Sequence, residues 1–262
     1  MYNRYYDQTF KNEPYRKMND FLIFIPVYNE ESSIEAIVQE IRYFTENTDI
    51  LIIDDGSTDN TPRIIQQIED IYKIRHTRNE GYGKTLIDGF NYAVEQGYQY
   101  VITIDSDKQH QPGEINKFIS TVKQHDSDII TGSRYLDVSP EEIEKAPEDR
   151  IRINKRITDF INRMTGFQLT DSFCGFKLYK VDALRKLRLT ETGYGLPLQV
   201  WIQAWKKGLT VTEIPVQLIY FDHTPLQTSS WKNMFRRYRY YLQIIQKEAE
   251  DYEYNDTGST SR

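Results

Sequence analysis

The chain has 262 residues, a formal charge of −6, one cysteine and 20 tyrosines. The acidic balance argues against nucleic acid as a main partner, because phosphate backbones select basic surfaces. Lone Cys174 rules out an intrachain disulfide and fits a reducing compartment. No apolar run reaches the ~20 residues of a membrane span and no signal peptide opens the chain, so the expectation is a cytoplasmic protein, soluble or peripheral on the inner membrane face.

Residues 1–20 are polar and aromatic without a clear period and read as a loosely ordered arm. Regular structure starts with the buried strand Phe21–Val27, followed from Ser32 by a helix carrying Ile34, Ile37, Val38, Ile41 and Phe44 on one face. The strand Ile50–Ile53 ends in Asp54-Asp55-Gly56-Ser57, and Pro62 stands in the first turn of the next helix. Lys73–Thr77 reads as a short strand and Lys84–Glu95 as a helix closed by Gly97. Tyr100–Ile104 is a strand leading into Asp105-Ser106-Asp107, then comes a helix with Ile115, Phe118, Ile119 and Val122, then the strand Asp128–Thr131. Alternating strands and helices mean βαβ units, hence an α/β fold with a mostly parallel central sheet flanked by helices.

The second half is less regular. Residues 136–150 are acidic and proline-containing and read as a loop. A helix spans Arg152–Met164, a turn at Thr170-Asp171-Ser172 feeds a strand at Gly175–Tyr179, a helix spans Leu198–Lys207, and Thr210–Tyr220 reads as one long strand. A last, amphipathic helix carries aromatic residues from Trp231 to Ile245, with Lys232, Arg236, Arg237 and Arg239 around its other faces. That stripe either docks on the domain, the usual fate of such a face, or makes a peripheral contact with anionic lipid. The tail from Glu250 lacks apolar anchors and reads as disordered. The organisation expected is a single domain over 21–249, with halves at 21–135 and 136–229, the helix at 230–249, and a tail at 250–262.

In open α/β sheets ligands bind outside the carboxyl ends of the strands. Five polar clusters fall at such ends: Tyr28-Asn29-Glu30, Asp54-Asp55-Gly56, Arg78-Asn79, Asp105-Ser106-Asp107 and Gly132-Ser133-Arg134. Carboxylates two residues apart repel unless a cation lies between them, and Mg²⁺ is commonly held by one or two carboxylates plus a substrate's phosphates. Taken singly these clusters are ordinary turns and caps. Their convergence on one edge is what points to a site.

Together the motifs resemble glycosyltransferase family 2, with its GT-A fold, and most closely its polyprenyl-phosphate mannosyl- and glucosyltransferase-like branch. The resemblance rests on Pro26-Val27-Tyr28-Asn29-Glu30, Ile53-Asp54-Asp55-Gly56-Ser57-Thr58-Asp59 and Asn79-Glu80-Gly81-Tyr82-Gly83-Lys84. It continues through Asp105 to Pro112, Gly132 to Tyr135 and Asp171 to Tyr179. It implies an inverting, metal-dependent transferase using a nucleotide-diphosphate sugar, with 21–135 as the donor half and 136–229 as the acceptor half. Pro26, Tyr28, Glu30, Ile53 and Asp55 would enclose the nucleoside, with Ser106 beside them, and Asp105 would face the ribose or the metal. Asp107 and Gln109 would ligate Mg²⁺ or Mn²⁺ on the diphosphate, and Arg134 would add positive charge near the phosphates. A sugar nucleotidyltransferase and a non-catalytic nucleotide-sugar-binding protein are the rivals.

The resemblance leaves the acceptor open between a glycan hydroxyl and a polyprenyl phosphate. The branch carries an Arg-x-x-Gly-x-Ser-Lys motif after the long strand, where this chain has Tyr220 to Ser229 without the basic residues, and it carries a glutamate where this chain has Gln199. That departure tips the expectation towards a hydroxyl acceptor with Asp171 as general base. A lipid phosphate would instead need no base and would make Arg150, Arg152 or Arg156 matter more.

Overall fold

The computed structural model describes residues 19–139, 148–219 and 231–256. Among them, seven strands form one sheet in the order β3-β2-β1-β4-β6-β5-β7. The strands are β1 (Phe21–Val27), β2 (Thr48–Asp54), β3 (Tyr72–Arg75), β4 (Tyr100–Thr103), β5 (Ile129–Ser133), β6 (Lys177–Lys180) and β7 (Val211–Pro215). The helices are α1 (Ile34–Phe44), α2 (Thr61–Gln67), α3 (Tyr82–Gln96), α4 (Ile115–Gln124), α5 (Glu148–Thr165), α6 (Val181–Leu184), α7 (Leu196–Lys206) and α8 (Trp231–Asp256).

Only β6 runs against the rest, antiparallel to β4 on one side and to β5 on the other. Side chains of a strand alternate between faces, and both faces of this sheet are covered. Leu22, Phe24, Leu51, Ile53 and Val101 point to the face packed by α3, α5, α7 and α8. Ile23, Ile25, Ile50, Ile52 and Ile102 point to the face packed by α1, α2 and α4. Burial on both sides is why these strands read as unbroken apolar runs rather than as alternating ones.

Several expected boundaries move. The long strand ends at Pro215, because proline has no N–H to continue the ladder; Tyr220 lies outside the described residues. The loop expected over 136–150 is shorter at its end, since Glu148–Arg150 already form the first turn of α5; 140–147 lie outside the description. The tail expected from Glu250 is helical to Asp256, because α8 continues past its last apolar anchor. Extending an established helix is far easier than nucleating one. The arm over 1–18, the Tyr220–Ser229 segment and 257–262 lie outside the described residues.

The carboxyl-terminal part of the α8 stripe docks. Tyr241, Ile244 and Ile245 are buried in the same core as Trp201 of α7 and Ile157 of α5, while Phe235, Arg236 and Arg239 stay exposed. A polar clasp completes the seat: buried Glu248 accepts from Gln199 Nε2 at 2.5 Å and from Gln203 Nε2 at 2.8 Å. Gln199 thus serves the α7–α8 interface, and its Oε1 also accepts the backbone N–H groups of Thr190 and Glu191.

Candidate active site

Parallel pairing places the carboxyl ends of β1, β2 and β3 side by side, with Val27 opposite Asp54 and Asp54 opposite Arg75. The direction of β6 brings its amino end to the same edge, since Lys177 pairs with Thr103. That reversal delivers the loop 171–175 to the site. All five polar clusters read from the sequence converge here.

The first two loops are laced together. Asn29, with a φ of 57°, donates its N–H to Ser57 Oγ, and its Oδ1 accepts from Thr58 N. Glu30 N donates to Thr61 Oγ1, and Ser33 Oγ donates to the Glu30 carboxylate at 2.6 Å. Tyr28 stands exposed beside them. Ser106 Oγ donates to the Pro26 carbonyl at 3.1 Å, pinning the acidic loop to the end of β1.

Asp105, Asp107 and Glu30 lie within electrostatic reach of one another at this edge. Asp105 accepts from the Tyr82 hydroxyl at 2.9 Å, and its other oxygen lies 3.5 Å from His110 Nε2. Burial alone would raise its pKa, but His110, Tyr82 and buried Lys177 bring it below the ordinary carboxylate value. Gly175 is required here: a Cβ on it would sit 2.0 Å from Asp105 Oδ2. Asp107, though its side chain reaches solvent, is raised, by the protein crowded around it and then by the Asp105 charge. Glu30 is raised too, by desolvation and then by Asp107, Asp59 and Asp105, against the lowering Ser33 bond. Gln109 gives its backbone N–H to Asp107 Oδ1 at 3.0 Å. A carboxylate set with two members raised by their surroundings suits a hard divalent cation, and Asp107 with Asp105 could hold one. No closed cage of three or more His, Cys, Asp or Glu occurs among the described residues, so other ligands would come from phosphate oxygens or water.

Arg134 and Asp171 form a forked pair, Nε to Oδ2 at 2.7 Å and Nη2 to Oδ1 at 3.1 Å. Asp171 is wholly buried and also accepts from Asn154 Nδ2 and from Phe173 N. Burial alone would push its pKa up, but the Arg134 charge and these bonds take it down to about 2. Such a carboxylate stays charged, and its lone pairs are engaged. It is poorly built to remove a hydroxyl proton, for which a pKa near the working pH is best. The expectation of Asp171 as an available base is therefore corrected: its geometry holds Arg134. Cys174 is a packed residue whose thiol burial pushes up to about 12, far from a nucleophile.

Two nucleoside-side expectations also change. Ile53 is fully buried in the core with Leu51 and Leu86, so its side chain does not line the cleft. It sits one residue before the end of its strand, on the face packed by α3. Asp55 is 3% exposed and accepts from Glu80 N, Gly81 N and His76 Nδ1, at 2.9, 2.9 and 2.7 Å. It clamps the 79–81 turn, leaving little acceptor capacity for a ligand.

Sequence reasoning missed four features. His76, one residue past β3, is buried between Asp55 and Asp88; a histidine at a strand's carboxyl end was the available signal. Tyr82, the residue on Asp105, stacks on exposed Tyr194 at 5.5 Å and 15°. Lys177 is fully buried, donates to the Cys174 carbonyl and lies 5.4 Å from the Trp201 ring; a lysine inside the apolar run Phe176–Tyr179 marked it. Finally, the glycines at 81 and 83 cradle backbone rather than phosphate. A Cβ on Gly83 would lie 2.3 Å from the Glu191 carbonyl oxygen, and Lys84 N donates to the Thr192 carbonyl at 3.1 Å. The amino end of α3 is thus occupied by the 190–193 loop.

Comparison with known proteins places this edge in context. The family model described as glycosyl transferase family 2 matches residues 22–188. A UDP-N-acetylglucosamine–dolichyl-phosphate N-acetylglucosaminyltransferase of Methanococcus voltae is 30% identical over 227 residues, 79% of this chain and 89% of that protein. A polyprenol monophosphomannose synthase of Mycolicibacterium smegmatis is 26% identical over 203 residues, 74% of this chain and 76% of its own. In fold, the chain superposes on glucosyl-3-phosphoglycerate synthase of Mycobacterium tuberculosis, crystallised with Mn²⁺, UDP and phosphoglyceric acid. The TM-score is 0.67 at 14% identity, covering 88% of this chain and 78% of that one. The sheet, its loaded edge and these likenesses agree: the chain has the GT-A fold and belongs to glycosyl transferase family 2, as a glycosyltransferase of the branch that holds the polyprenyl-phosphate sugar transferases.

Proposed function

We propose that this enzyme transfers a sugar from a nucleotide-diphosphate sugar to a polyprenyl phosphate, with inversion at the anomeric carbon. The observation that carries the acceptor class is the Arg134–Asp171 pair. A hydroxyl acceptor needs a base as its bond forms, and the carboxylate expected to act so is buried, paired and held at a pKa of about 2. A phosphate monoester arrives already anionic and needs none. One of its oxygens attacks the anomeric carbon, the bond to the diphosphate breaks, and the nucleoside diphosphate departs with the electron pair. The named activities of the relatives, on dolichyl phosphate and polyprenol, support the same class.

The donor would lie along the edge at Pro26, Tyr28 and Glu30, beside the turn that Asp55 clamps, with its diphosphate towards Asp105, Ser106, Asp107 and Gln109. A bound Mg²⁺ or Mn²⁺, held by Asp107 with Gln109 or Asp105, would stabilise charge on the departing diphosphate. Arg134, kept charged and aimed by Asp171, supplies fixed positive charge in a site partly closed to water. Arg150, Arg152 and Arg156 stand exposed on α5, on the acceptor side. Exposed Phe235 with Arg236 and Arg239 on α8 offers an aromatic and basic face of the kind that meets anionic lipid.

Thermal stabilisation by UDP- and GDP-sugars with Mn²⁺ tests the donor half. A ligand at a hundred times its Kd stabilises by about 2.7 kcal/mol, so the expected outcome is a clear rise in Tm that EDTA abolishes and Asp107→Ala loses. Equal stabilisation of wild type and Asp107→Ala, indifferent to EDTA, would overturn the metal assignment.

A further inference from the structure

Buried His76 lies outside the acidic cleft, yet a continuous set of contacts runs from it to the cleft floor. Nδ1 of His76 meets Asp55 Oδ1 at 2.7 Å, and Nε2 meets Asp88 Oδ2 at 3.0 Å. Asp55 spends both oxygens on the amides of Glu80 and Gly81. The next residue, Tyr82, gives its hydroxyl to Asp105. Asp88, one helical turn beyond Lys84 on α3, accepts from Lys84 Nζ at 2.5 Å. A neutral imidazole carries one N–H and can satisfy one of two flanking carboxylates as donor; an imidazolium satisfies both.

We propose that His76, as an imidazolium between Asp55 and Asp88, is a positioning residue for donor binding: it fixes the turn at 79–82 so that Tyr82 meets Asp105. The inference rests on the donor placement given above. Asp55 from the end of β2 and Asp88 from α3 are the charged groups that face the ring, with Lys84 beyond Asp88. Burial alone would lower the pKa of His76, but these two partners raise it to about 9. The native protein therefore keeps the charge through neutral pH and loses it near pH 9.

The test pairs nucleotide titration with hydrogen exchange on wild type and His76→Gln. UDP and GDP, each with Mn²⁺, are titrated from pH 7 to pH 10, and amide exchange of the 79–84 segment is followed without ligand. For wild type, affinity should fall about tenfold across a midpoint near pH 9, the scale of one buried charged hydrogen bond. His76→Gln should bind about tenfold more weakly at pH 7, keep only the alkaline loss that ionisation of the nucleobase itself causes, and lose protection at Glu80 and Gly81 while β1 and β4 keep theirs. Unchanged affinity in the variant at pH 7, an alkaline loss as large in the variant as in wild type, or exchange raised equally throughout the sheet would each overturn the proposal. A wild type that binds neither nucleotide at any pH would refute the donor placement itself, and the positioning role with it.

Discussion

Asp171 shows how burial changes what a carboxylate can do. Its position after α5 suggested a base, but wholly buried and forked to Arg134 it is an anchor. Removing one member of a buried ion pair costs about 3–5 kcal/mol because the other is stranded. Asp171→Asn keeps some hydrogen bonds but loses the charge, so it should lower Tm by several degrees and weaken turnover through a displaced Arg134. Normal Tm with at least a ~100-fold loss of turnover would restore the base. The pH dependence follows from the depressed pKa: the contribution of Asp171 is full above the unfolded value of 3.8 and is lost as pH falls towards about 2. His76 has the opposite sign. With a folded pKa of about 9 against 6.5 unfolded, its contribution is full below pH 6.5 and is lost as pH rises to about 9. Thermal melts from pH 6 to pH 10 on wild type and His76→Gln should converge at the alkaline end; a constant gap would contradict the charged state.

At the scale of elements, the start of α3 is sealed by a loop from far along the chain. Backbone of the 190–193 loop lies directly on Gly81 and Gly83, Gln199 holds that loop from α7, and Tyr240 of α8 donates to Glu191. The contact is main chain against main chain, so neither side can yield by changing a rotamer. Gly83→Ala should cost about 1–3 kcal/mol, the usual penalty of overpacking, and it should weaken donor binding by shifting Tyr82. A Tm within one degree of wild type would show that the seam is looser than it looks. In the sequence these glycines stand out only as part of the Asn79–Lys84 motif, because their partners lie more than a hundred residues away.

For the molecule as a whole, the legible parts were those with a local cause. The paired apolar strands, the helices with apolar faces and the acidic turns at strand ends follow from periodicity and turn chemistry, and so did the parallel sheet and the edge that bears the site. What pairs across the sheet was not legible. The reversal of β6, the fork between Arg134 and Asp171, the clamp of Asp55 on the 79–81 turn and the docking of Glu248 on α7 all depend on residues distant in sequence. The departure at Gln199 read as a lost acceptor group, whereas its side chain is occupied in joining α7, α8 and the 190–193 loop. The central claim is the acceptor, and one measurement addresses it most directly: incubation with labelled UDP- and GDP-sugars and Mn²⁺, offering undecaprenyl phosphate and, separately, a soluble glycan with free hydroxyls. Label should pass to the lipid phosphate as an acid-labile glycosyl phosphate. Transfer to the glycan hydroxyl, with none to the lipid phosphate, would contradict it.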